Sequence, residues 1–98
     1  MKIKVEPFLM RRGNKLAKAA IEFEESDKFL AGFHLIGFTI CEDKDGSLFV
    51  LFPASVTKDI KENRMRTYFF LKPGDENQLD KLEEAILDVY ESMTTVRE

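Results

Sequence analysis

The sequence predicts an α+β fold, about five antiparallel strands followed by one C-terminal amphipathic helix, on three observations. Up to about residue 71, apolar side chains recur with a period of two, the spacing of half-buried strands. From Asn77 the period lengthens to 3.6, that of a helix with one apolar face. Gly, Pro and an Asp45-Gly46 pair fall between the periodic runs, where the chain must reverse. The 98 residues make a single domain, 1–98. A core of that size buries roughly 60–65% of the unfolded surface, with a radius of gyration of about 13 Å, so a monomer is marginally stable.

The first strand is expected over residues 2–10, with Ile3 and Val5 on one side and Lys2, Lys4 and Glu6 on the other. Pro7 cannot donate to a ladder and assigns this strand to an edge. After an Arg11-Arg12-Gly13-Asn14 turn, residues 16–24 alternate Ala17, Ala19, Ile21 and Phe23 with Lys18, Ala20, Glu22 and Glu24. The apolar run 29–41, broken by Gly32 and Gly37, reads as one long third strand with a bend or bulge. Asp45-Gly46 supplies the positive φ of a tight hairpin and returns residues 48–52 as the fourth strand. All five of its residues are apolar, which calls for cover on both faces, since fully burying a large side chain is worth about 1.5–3 kcal/mol. Pro53 ends it and residues 54–63 read as a polar loop. Residues 64–71 then alternate Met65, Thr67, Phe69 and Leu71 with Arg64, Arg66, Tyr68 and Phe70 as a fifth strand, broken by Lys72-Pro73-Gly74.

The helix is expected over residues 77–93, its face built from Leu79, Leu82, Ile86, Val89 and Met93 and widened by Ala85 and Tyr90. Asp75 or Asn77 caps it, and acids crowd the first turns, where the helix dipole favours them. One helix covers only part of one sheet face, and the chain carries nine Phe. Phe33, Phe38, Phe49, Phe52 and Phe69 therefore predict a second sheet, by barrel closure or from a partner subunit, and at this length a homodimer is expected.

Composition removes several functions. One Cys allows no intrachain disulfide, and one His with one Cys makes no four-ligand zinc site; no cofactor is expected. No apolar run approaches the roughly 20 residues of a membrane span, and the first residues lack the pattern of a signal peptide, so a soluble, cytoplasmic protein without membrane contact is expected. The formal net charge of -3 hides a segregation. Residues 1–18 sum to +5, residues 19–55 to -5, residues 56–73 to +3 and residues 74–98 to -6. The two basic stretches could converge on one face, or the charges could form a mixed solvated surface.

Individual motifs are spare. The acids around Asp43 and Asp45 fail the register of a calcium loop, because Cys41 and Phe52 would fall at ligand positions, and a hairpin turn is expected instead. His34 reads as a hydrogen-bonded core or edge residue and Cys41 as a small buried hydrophobe. No catalytic constellation is visible, so no enzyme is expected. What remains is Arg64, Arg66, Tyr68 and Phe70 on one strand face, preceded by Lys58 and Lys61, with Arg11 and Arg12 from the first basic stretch. Cations beside aromatic rings suit single-stranded DNA or RNA, the cations following phosphates and the rings stacking on bases. The same residues equally fit a structural role: Tyr68 and Phe70 packed under the helix or at a dimer interface, with the arginines paired to Glu83 or Asp88.

The stretch FHLIGFTICEDKDGSLFVLFPASVTKDIKENRMRTYFFLKP, followed by LDKLEEAILDVYESM, resembles the stage V sporulation protein G family, the small bacterial SpoVG septation regulators. The features carrying the resemblance are an apolar strand, an acidic Gly-containing turn, Leu48-Phe49-Val50 closed by Pro53, a lysine-bearing loop, a further strand and the helix, from about Lys2 to Met93. The resemblance implies a homodimer without enzymatic activity that binds DNA and RNA in gene regulation and septation. The chain departs from the family in having Ala54, Ser55 and Val56 after the Pro and Thr39 before the turn, where family members usually carry basic residues. A protein-interaction module that binds no nucleic acid is the alternative, favoured by the acidic composition.

Overall fold

The computed structural model describes residues 1–95 as an α+β fold of six strands in two antiparallel sheets, followed by one C-terminal helix. Strands β1 (Lys2–Arg12), β2 (Lys15–Glu22), β3 (His34–Glu42) and β4 (Leu48–Leu51) form a four-stranded meander in sequential order. Strands β5 (Ala54–Asp59) and β6 (Arg64–Phe69) form a separate two-stranded sheet, and α1 spans Gln78–Thr95. As Pro7 requires, β1 is an edge.

The rungs follow the alternation of the sequence. Val5 pairs with Ala19 and Ala19 with Phe38; Pro7 pairs with Ala17, Ala17 with Ile40, and Ile40 with Val50. These residues occupy one face, and α1 crosses it in contact with both edge strands. Ala17, Ala19, Ile21, Phe38, Ile40, Val50 and the helix residue Ile86 are the buried cluster, with Leu82 and Tyr90 packed against it. Phe38 meets the Phe52 ring edge-on at 5.5 Å, an aromatic geometry that adds to simple burial.

Gly37 fulfils the expected bulge. Between Ala19/Phe38 and Ile21/Leu35 the ladder slips by one residue, Gly37 takes φ +101°, and a Cβ there would stand 3.0 Å from the Pro53 Cβ. The hairpin turn also forms: Gly46 has φ +88°, Asp43 receives the Gly46 N–H, and Asp45 Oδ1 accepts the Ser47 N–H at 2.9 Å. That bond holds the Asp45 carboxyl below its ordinary pKa. At the helix start Asp75 accepts the Asn77 N–H at 3.0 Å, while Gln78 Oε1 reaches back to the Asp75 N–H at 3.0 Å, a reciprocal cap.

Three expectations are corrected. Residues 29–33 are not strand: Glu24 and Asp27 cap a short 3-10 segment, Glu25–Leu30, and Gly32 at φ +87° turns the chain into β3, leaving Phe29 94% exposed. His34 is consequently the exposed first residue of β3, opposite Glu22. Residues 54–63 are not wholly loop, because Ala54–Asp59 pairs with Arg64–Phe69. Finally, β4 is covered unevenly: Val50 is buried on the helix side, whereas the far face is only partly closed. Leu51 shares a rung with Thr39 on the side away from the helix and is 47% exposed.

Strand β4 also has an open edge, and one helix side chain occupies it. Glu83 Oε2 accepts the Val50 N–H at 2.9 Å, so a donor that β3 does not use is satisfied by α1. Cys41 is fully buried on β3, and burial pushes its thiol pKa up.

Candidate nucleic-acid interface

The β5–β6 ribbon leaves the main sheet at Pro53, which packs on Gly37, and closes at its base with the Phe70 N–H donating to the Pro53 carbonyl at 3.0 Å. Its extensive contacts are between its own two strands. The chain is accordingly extended, with a Cα radius of gyration of 15.5 Å against the roughly 13 Å of a compact domain this long.

Register fixes which residues share a face. Ser55 pairs with Tyr68, Thr57 with Arg66 and Asp59 with Arg64, so these six lie on one side of the ribbon. Ala54 pairs with Phe69, Val56 with Thr67 and Lys58 with Met65 on the other. The alternation of Arg64, Arg66 and Tyr68 is therefore as expected, and Tyr68 is 52% exposed. Lys58 does not join them; it stands on the opposite face among exposed Val56, Met65 and Phe69. Lys61 lies in the tip, beside Ile60, which is 90% exposed. Phe70 falls just beyond β6 and is exposed.

The arginines are not bare. Arg66 Nη2 hydrogen-bonds Glu62 Oε2 at 2.7 Å, and Arg66 Nε lies 2.9 Å from Asp59 Oδ2, close enough for an ion pair though off the line of its N–H bond. Arg64 Nη2 meets the same Glu62 oxygen at 2.6 Å. Their partners are thus in the ribbon, and not Glu83 or Asp88 of the helix. Two guanidinium groups and two carboxylates cancel on this face. The net +3 of residues 56–73 is left to Lys58, Lys61 and Lys72, which have no carboxylate within ion-pair distance among the described residues.

Arg11 and Arg12 lie elsewhere. Asn14, in the β1–β2 turn, accepts the Glu42 N–H at 2.9 Å, which puts both arginines at the end of the sheet where β3 finishes, whereas the ribbon leaves beside Gly37 in mid-strand. Arg11 pairs with Glu42 at 2.8 Å, and Arg12 stacks over the Phe8 ring at 5.3 Å. Other cations of the first basic stretch are also matched. Lys4 binds Glu22 at 2.7 Å and holds its carboxyl below the ordinary pKa, and Lys18 faces Glu6 at 3.5 Å. Arg11 and Arg12 therefore do not join the cations of the ribbon.

Sequence reasoning missed Ser55, Thr57, Asp59 and Glu62 as neighbours of the arginines. The signal was present in Val56-Thr57, two β-branched residues suited to a strand, and in Asn63, which takes the positive φ of 50° at the tip. Asp59 ties that tip together, its Oδ1 accepting the Lys61 N–H at 3.0 Å and the Glu62 N–H at 3.3 Å. Comparison of the chain with protein-family models, with curated proteins and with solved structures finds no match.

Proposed function

We propose that the protein is a homodimeric, nucleic-acid-binding regulator of the kind its resemblance to the stage V sporulation protein G family implies, acting in gene regulation or septation without catalysis. One observation carries this reading: a projecting two-stranded ribbon with an excess of cations presents Arg64, Arg66 and Tyr68 at strand spacing on one exposed face. A ribbon of this width suits a nucleic-acid groove, and cations beside an exposed ring suit an unpaired strand. The dimer is supported by the exposed apolar side chains of the ribbon's other face and by Phe29, Phe33 and Ile36, more apolar surface than a stable monomer usually leaves in water.

Fluorescence anisotropy with labelled single-stranded DNA and RNA tests the binding. Affinity should fall steeply between about 50 and 200 mM salt, with each neutralised phosphate contributing about 0.7 to the logarithmic slope. Replacing Lys58, Lys61, Arg64 and Arg66 together with Ala should flatten that slope; an unchanged slope refutes the assignment. Light scattering at micromolar concentration should report a dimer, and a monomer would remove that part.

A second reading, a protein-interaction module, is favoured by the pairing of both arginines with Asp59 and Glu62, which lowers the positive potential they offer. It predicts no anisotropy change with any oligonucleotide at low salt.

A further inference from the structure

We infer that Asp59 and Glu62 are internal competitors for the phosphates of a single-stranded nucleic acid, setting the affinity of the Arg64–Arg66 face by occupying its guanidinium groups until a strand displaces them. The inference rests on the nucleic-acid reading above and names how that site is regulated. A carboxylate and a phosphate seek the same thing from arginine, charge and parallel N–H donors. Here the groups that would meet a phosphate already face carboxylates: Arg66 Nη2 and Arg64 Nη2 meet Glu62 Oε2, and Arg66 Nε forms an ion pair with Asp59 Oδ2 without a hydrogen bond, at 2.6–2.9 Å. Asp59 divides its work between its two oxygens. Oδ1 receives the tip N–H groups of Lys61 and Glu62, while Oδ2 faces Arg66. The carboxylates are therefore fastened to the same ribbon as the cations, and their effective concentration is high before any ligand arrives. These pairs are 22–65% exposed at the side chain, and exposed ion pairs are weak enough to yield to a polyanion. In the unbound ribbon Lys58 and Lys61 stand without a carboxylate at ion-pair distance among the described residues.

The distribution of bonds also supplies a clean variant. In Asp59→Asn the Oδ1 acceptor of the tip survives, and Glu62→Gln keeps the length of the side chain, so charge is removed while the turn is retained. Four full-length proteins are compared by anisotropy on a fluorescein-labelled oligothymidylate over a range of salt: wild type, Asp59→Asn/Glu62→Gln, Arg64→Ala/Arg66→Ala, and the combination of all four changes. Glu84→Gln/Asp88→Asn, which removes two acids from the helix, controls for overall charge. Freeing the arginines should tighten binding roughly 3- to 10-fold at low salt. The logarithmic salt slope, set by phosphates that both proteins neutralise once the carboxylates are displaced, should stay close to that of the wild type. The gain in affinity should vanish when the combined variant is compared with Arg64→Ala/Arg66→Ala, and be absent from the helix control.

A wild-type affinity in Asp59→Asn/Glu62→Gln, or an equal gain from the helix control, overturns the competitor role while leaving nucleic-acid binding intact. Persistence of the gain in affinity without Arg64 and Arg66 overturns it as well. If neither wild type nor the freed variant binds at the lowest salt, the nucleic-acid reading itself falls, and the competitor role with it.

Discussion

Glu83→Ala is the most informative single test of how the sheet is finished. Val50 is 6% exposed, and its N–H points to the open edge of β4, where Glu83 Oε2 at 2.9 Å is its acceptor. Truncating Glu83 leaves a buried donor without a partner, which costs about 1–3 kcal/mol, the upper half of that range applying when the lost acceptor is charged. With a urea m-value of about 1–1.5 kcal/mol/M for so small a domain, a loss of about 2 kcal/mol lowers the unfolding midpoint by roughly 1–2 M. Glu83→Gln keeps a carbonyl acceptor at the same reach and should recover at least half of the loss. The assay is urea unfolding followed by circular dichroism, with the m-value required to stay constant. A shift below about 0.5 kcal/mol in Glu83→Ala, or equal losses in the two variants, would show that water serves the Val50 N–H as well as the carboxylate does.

Four further outcomes are expected. Ile86→Ala removes the one fully buried helix side chain in the cluster and should cost about 2–5 kcal/mol by the same unfolding measurement. Gly37→Ala should cost about 1–3 kcal/mol, because it puts a Cβ at φ +101° and 3.0 Å from Pro53; a neutral effect would mean that the Pro53 corner shifts freely. Cys41 should react with a thiol reagent at pH 8 only as fast as the chain opens, and rapidly in urea. Its thiol pKa is raised in the folded chain, so the neutral thiol's contribution is intact below the unfolded pKa and is lost as pH climbs through the folded one. Cys41→Ser should therefore flatten the alkaline limb of the stability profile.

What could be read from the sequence divides along physical lines. The helix was legible because Leu79, Leu82, Ile86 and Tyr90 carry one period throughout, and of the two cap candidates, Asp75 and Asn77, it is the Asp75 side chain that accepts a bond there, answered by Gln78. The meander was legible from alternation and from Gly37 and Gly46, where side chains would strain the backbone. Residues 29–33 misled because an apolar run has no period of its own, and Gly32 decides there between continuing and turning. At β5 the polar Ser55, Thr57 and Lys58 masked a strand, since a ribbon with solvent on both sides shows no simple apolar alternation. The cost fell on the site. The alternation of Arg64, Arg66 and Tyr68 is readable in one strand, but Asp59 and Glu62 become their partners only through a hairpin whose first strand looks like loop in the sequence. Counting charge along the chain could not reveal a cancellation that occurs across it.

The ribbon's attachment separates two properties that most small domains entangle. Joined to the rest through Phe52-Pro53 and Phe70, it can open without uncovering Phe38, Ile40 or Ile86. Native-state amide exchange should resolve it as its own cooperative unit, released at lower free energy than the helix and the meander. Substitutions in it are then free to drift toward new ligands without eroding the kernel on which folding depends, an evolutionary latitude the tightly packed sheet lacks.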